Sequence, residues 1–135
     1  MEINQDILNN FKEFIVKDLP QIKKYAGKSL QGRSVLTDSK MIINALKTVV
    51  DPDIGVDVYN LGLIYKYDLK KNGDVIIEMT LTSPTCPYAN ELVQASADTV
   101  ADLDGVGIVE INVVWIPKWD LTYLTDEAKF QLELE

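Results

Sequence analysis

The only cysteine of this chain, Cys86, sits in the run Leu81-Thr82-Ser83-Pro84-Thr85-Cys86-Pro87-Tyr88, where a strand pattern gives way to a helix pattern. A thiol becomes a nucleophile or a metal ligand when it ionises, and a helix N-terminus favours the ionised form. Pro87 suits a first helical position, so the sequence predicts Cys86 at or next to an N-cap, with its thiolate easier to reach than in a free peptide. Pro84 and Pro87 exclude regular structure through the loop, as befits a loop that holds a side chain in place. On position alone the plainer role of a lone cysteine, a small buried hydrophobe, stays open.

Two other groups of residues could take part in chemistry. Asp51, Asp53 and Asp57 fall within seven residues, a density that could hold a hard cation. The ligand order of a calcium loop is absent, however, and turn-forming aspartates explain the run more simply. Trp115, Trp119 and Tyr123 form a proline-broken aromatic segment that either closes an edge of the core or offers a partner surface. The chain has no histidine, which removes Cys-His and Ser-His-Asp catalysis and the usual imidazole metal ligands. Any chemistry must use Cys86, carboxylates, hydroxyls, lysines or a borrowed ligand.

The elements that must position these groups follow from periodicity. Ile7, Leu8, Phe11, Phe14 and Ile15 mark an amphipathic helix over residues 4 to 17. From Gln21 to Leu36 four basic side chains are interleaved with Gly27 and Gly32, which reads as a basic linker or loose loop. A second helix begins near Thr37 or Asp38 and turns Met41, Ile42, Ala45, Leu46 and Val49 to the core. Residues 63 to 69 and 74 to 82 alternate as strands around Asn72-Gly73, a strong hairpin signal. Leu92, Val93, Ala97, Val100 and Leu103 mark a helix that ends at Asp104-Gly105. A third strand runs from Gly107 to Ile116, parallel to the second, and Thr125 caps a short last helix. The predicted fold is therefore α/β (α+β): a small mixed three-stranded sheet in the order α-β-β-α-β, with a short C-terminal helix and an extra N-terminal helix. It divides into residues 1–36 and a main domain at 37–135.

At 135 residues the chain suffices for one domain with a real core. Its net charge of −8 is concentrated after residue 37, so the main domain repels phosphate backbones and anionic lipid. No nucleic-acid or membrane partner is expected. No apolar run reaches spanning length, no signal-peptide pattern opens the chain, and one cysteine makes no internal disulfide; a cytoplasmic location is the default.

Four blocks in order carry a family resemblance: Asp51-Pro52-Asp53-Ile54-Gly55, Asn60-Leu61-Gly62-Leu63-Ile64-Tyr65, Met79 through Pro87, and Val114-Trp115-Ile116-Pro117-Lys118-Trp119. Over residues 38 to about 133 the chain resembles the SufT-like and PaaD-like metal-sulfur cluster assembly factors, a family that includes the eukaryotic cytosolic iron–sulfur targeting component. Asp53 stands where relatives commonly have Glu, and Ser83 where they often have Thr; both keep the functional group. The resemblance implies a functional pocket of Asp51, Asp53, Thr82, Ser83 and Cys86. Antiparallel pairing supports this grouping, because it brings Asn60-Leu61-Gly62 beside Thr82-Ser83, and Asp51 joins them if its loop folds back. The aromatic segment is expected to cover part of that pocket.

The implied function is an auxiliary factor in iron–sulfur cluster assembly or transfer, acting with the assembly machinery and client apoproteins. A cluster takes four thiolates or substitutes, and this chain supplies one. A transient cluster or iron must therefore be shared, with Cys86 one ligand among several; a homodimer would supply two cysteines. The alternatives are a thiol-dependent small enzyme, hampered by the missing histidine, and a noncatalytic docking subunit of an oxygenase or assembly complex that binds through Trp115, Trp119 and Tyr123.

Overall fold

The computed structural model describes residues 19–133, so the helix expected over residues 4 to 17 lies outside them. The first long helix, α1 (Ser39–Leu46), starts where Asp38 accepts the Met41 N–H at 2.9 Å, a carboxylate cap that satisfies one orphan donor. It buries Ile42, Ala45 and Leu46 but leaves Met41 exposed. The hairpin of β2 (Ile64–Leu69) and β3 (Val75–Met79) closes through Gly73, whose φ of 92° suits glycine, while Asn72 accepts the Asp74 N–H. The helix α2 (Ala89–Ala101) then crosses to β4 (Val109–Val113), which pairs parallel with β3. A short α3 (Asp126–Gln131) follows, capped by Thr125.

The sheet has four strands, not three. Its order is β1-β4-β3-β2, and the added strand β1 (Lys23–Ala26) pairs antiparallel with β4, Lys24 opposite Ile111 and Ala26 opposite Val109. The segment read as a basic linker thus supplies an edge strand. Its lysines lie along an edge, where charge does not disturb the core, and pairing satisfies the backbone groups that β4 would otherwise leave open.

One face of the sheet presents Val75, Ile77, Met79, Val109 and Ile111, all buried beneath the helices together with Leu92, Val93, Ala97 and Val100 of α2. Each such aliphatic side chain contributes about 1.5–3 kcal/mol on burial. Strict alternation groups Leu63, Tyr65, Tyr67 and Leu69. Instead the register shifts between Ile64 and Lys66, so Ile64 opposes Met79 while Tyr67 opposes Ile77. This bulge re-aims Tyr65 toward the C-terminal segment, which positions the aromatic cover described below.

Candidate functional site

Cys86 occupies a turn between β3 and α2. Its N–H donates to the Ser83 carbonyl at 3.3 Å, and its own carbonyl accepts the Ala89 N–H at 3.2 Å. That second bond delays the helix. The N-cap is Tyr88, which makes no side-chain cap bond, so the helix begins two residues later than a Pro87 start and Cys86 precedes the cap instead of forming it. The thiol is half-buried, packed on one side against the core and reachable on the other.

The neighbouring hydroxyls divide between frame and surface. Ser83 Oγ and Thr85 Oγ1 lie 2.8 Å apart, and Ser83 Oγ also accepts the Thr85 N–H at 3.2 Å, so both organise the turn. The strand expected to reach residue 82 ends at Met79, so Thr82 lies in the turn, half-buried, just after the buried Leu81.

Asp51 is 3% exposed, and its carboxylate accepts the N–H groups of Asp53 at 2.9 Å and Ile54 at 3.3 Å. A buried carboxylate is tolerable only when so bonded. Further backbone bonds, Gly55 N–H to Asp51 O at 2.7 Å and Asp51 N–H to Val56 O at 3.0 Å, complete a tight loop. Asp53 projects from that loop and is exposed.

Pro52 of the aspartate loop and Tyr88 of the cysteine turn line one groove of about 340 Å³, with Val50, Glu91 and Leu92 between and beside them. Val50 and Tyr88 are exposed apolar surfaces at its margin, 50% and 41% accessible. Pro52 and Tyr88 thus share this groove, but Asp51, Asp53, Thr82, Ser83 and Cys86 are not among its lining residues.

The aromatic segment packs on the start of β2. Trp119 Nε1 donates to Leu61 O at 2.7 Å, Trp115 Nε1 to Pro20 O at 2.9 Å, and the Tyr65 hydroxyl to Pro117 O at 2.8 Å. Tyr65 and Tyr123 meet edge to face with centroids 5.7 Å apart. Burial first, then the neighbouring Tyr123 and Asp120, push the Tyr65 phenol up to about 12. These bonds run to Pro20, Leu61 and Tyr65, none of them in the cysteine turn. The exposed large apolar side chains of this segment are Ile116 and Leu121, whereas Trp115, Trp119 and Tyr123 are partly buried.

A buried polar cluster escaped the sequence reading. Asn60 donates to Asp57 Oδ1 at 2.8 Å, its N–H bonds Asp57 Oδ2 at 3.0 Å, and Thr125 donates to Asn60 Oδ1 at 2.7 Å. Asp57-x-x-Asn60 has the spacing of a local side-chain-to-backbone turn, but only the fold brings Thr125 to it. The cluster ties the cap of α3 to the loop ahead of β2.

Among the described residues no group of three or more Cys, His, Asp or Glu side chains could hold a metal ion. No described helix is long and apolar enough to cross a membrane.

A small mixed sheet backed by two helices, with a single thiol in the turn after a parallel strand, makes this an α+β domain. Residues 39–113 match the iron-sulfur cluster assembly protein family, and the chain belongs to it. It is 42% identical over 94 residues to the Fe-S protein maturation auxiliary factor YitW of Bacillus subtilis, a match covering 70% of this chain and 92% of that one. It is 34% identical to the Fe-S protein maturation auxiliary factor SufT of Staphylococcus aureus, covering 62% and 96% of the two chains. A solved domain of unknown function from Bacillus anthracis superposes with a TM-score of 0.67 at 34% identity, over 71% of this chain and 92% of that one. The family match stops at β4, so β1, the aromatic cover and α3 lie beyond it.

Proposed function

We propose that this protein is an auxiliary factor in iron–sulfur protein maturation, using Cys86 as one thiolate in the transient transfer of a cluster or iron to a client apoprotein. The observation that supports the reading is the placement of the only thiol: half-buried in a proline-flanked turn whose Tyr88 lines an open groove, in a chain of the cluster-assembly family. One thiol and no histidine cannot complete the ligand set of a cluster. The cluster or iron is thus cargo, held only while the assembly machinery or the client supplies the remaining ligands.

In this reading each residue of the pocket has its own task. Cys86 touches the cargo, Thr82 lines the approach to it, and exposed Asp53 meets the partner at the rim. Asp51 and Ser83 hold the two loops through the bonds described above. The groove margin at Val50 and Tyr88 receives apolar side chains of the client.

The test is anaerobic transfer. A cluster-loaded donor and an apo iron–sulfur enzyme are mixed with wild type or Cys86→Ala, and client activity is followed alongside visible absorption of the isolated protein after treatment with iron and sulfide. Wild type is expected to speed client activation while retaining no stable cluster alone, and the folded Cys86→Ala variant to lose the acceleration. Equal acceleration by the variant would overturn the role of the thiol.

A further inference from the structure

We propose that β2 is the contact strand of a two-fold homodimer, in which the β2 edges of two copies pair antiparallel about Tyr67 and join two sheets into one. This inference does not depend on the cargo reading. It starts from the sheet order, which leaves β2 at an edge.

The direction of the backbone groups along that edge follows from the hairpin. Lys70 N–H donates to Asp74 O at 2.8 Å, so Lys70 faces β3. In an antiparallel ladder the direction alternates, and the register Asp68 opposite Ile76 and Lys66 opposite Glu78 turns those two inward as well. Tyr67 and Leu69 therefore direct their N–H and C=O outward. The next strand agrees: Val75, opposite Leu69, sends its N–H to Ile108 of the β4 side at 2.9 Å. Among the described residues no hydrogen bond engages the outward groups of Tyr67 and Leu69.

Pairing two such edges about Tyr67 sets outward groups against outward groups. Tyr67 opposes the partner's Tyr67 as a hydrogen-bonded pair, and the bulge at Tyr65 ends the regular ladder on either side. Lys66 then falls opposite the partner's Asp68, and Asp68 opposite the partner's Lys66, in non-hydrogen-bonded positions where side chains approach most closely. Both residues are exposed. A charged edge often serves only to block aggregation. Here the alternation of sign makes the strand complementary to itself, whereas one sign alone would repel a second copy. Pairing about Leu69 would also oppose Asp68 to Lys70, but it would carry half of the contact onto the hairpin turn. The internal Lys70–Asp68 pair uses Asp68 Oδ2 at 3.3 Å and leaves the other oxygen for the partner.

The arrangement has a consequence for Cys86. The cysteine turn follows β3, whose end at Met79 lies beside Ile64. Antiparallel pairing about Tyr67 carries the partner's Ile64 to the Lys70 end, about 20 Å away along the strand. The two cysteine turns of such a dimer therefore stand toward opposite ends of the paired strands.

The experiment is light scattering coupled to gel filtration on the full chain across a wide concentration range, with Lys66→Asp, Asp68→Lys and the double exchange. Wild type is expected to dimerise. Each single exchange opposes like charges twice and is expected to weaken the dimer about tenfold or more, and the double exchange restores it. Thermal unfolding of the three variants, expected near wild type, excludes misfolding as the cause. A wild type that stays monomeric leaves the edge to a strand of another protein and overturns the proposal. So does dimerisation that ignores the single exchanges, or that responds to Lys70→Asp but not to Lys66→Asp.

Discussion

Replacing Gly62 by alanine is expected to destabilise the protein far more than replacing Gly55, although both glycines have a left-handed φ. Their φ angles are +79° and +80°, so the left-handed conformation costs each alanine about 1 kcal/mol. The surroundings differ. A methyl at Gly55 meets no atom within 4 Å, whereas at Gly62 it would stand 2.2 Å from the Tyr123 carbonyl oxygen and 2.8 Å from its carbon. These are backbone atoms, so the segment around Tyr123 must move, at about 1–3 kcal/mol for overpacking. Movement also threatens the Trp119 bond to Leu61, worth about 1 kcal/mol. The totals are about 3–5 kcal/mol for Gly62→Ala and about 1 for Gly55→Ala. For a domain of this size they correspond to losses of about 12–20 °C and about 4 °C in Tm. Urea unfolding followed by tryptophan fluorescence and far-UV circular dichroism reads both, and the native emission of Gly62→Ala is expected to shift because Trp115 and Trp119 flank the disturbed site. Equal destabilisation of the two variants, or an unchanged native spectrum for Gly62→Ala, would refute the packing argument.

Asp51→Ala removes the acceptor of two loop N–H groups and is expected to cost about 2 kcal/mol in chemical denaturation, while exposed Asp53→Ala stays within about 0.5. The Tyr65 phenol is raised from 10.0 to about 12, so its stabilising contribution is complete below pH 10 and is lost as pH rises toward 12. Two pH units correspond to at most about 2.7 kcal/mol, and screening at this partly exposed site reduces that to about 1. Over this window wild type is expected to lose that much more stability than Tyr65→Phe, and parallel alkaline unfolding curves would contradict it. A shortened chain starting at Val35 lacks β1 and the Trp115 bond to Pro20, and is expected to unfold at lower urea than one starting at Leu19. Equal midpoints would show that β1 adds nothing to the core.

What the sequence determined by itself is local. Asn72-Gly73 specified the hairpin because few other residues accept that turn, Asp38 and Thr125 marked helix starts because their side chains reach N–H groups three residues on, and apolar period marked β3 and α2. Composition alone also established that a single thiol without histidine must share any cluster it handles. Tertiary structure decided the rest. Lys23-Lys24-Tyr25-Ala26 carries no alternation of apolar side chains, so β1 exists as a strand because β4 offers an open edge. The bulge at Tyr65 and the tie from Asn60 to Thr125 join positions 52 and 65 residues apart. The start of α2 depended on where the Cys86 carbonyl points, and that direction comes from a turn held between a finished strand and a packed helix. Periodicity reports which face of one segment is apolar, but not which distant backbone group will take a given hydrogen bond, and here that choice placed the thiol before the helix instead of at its cap.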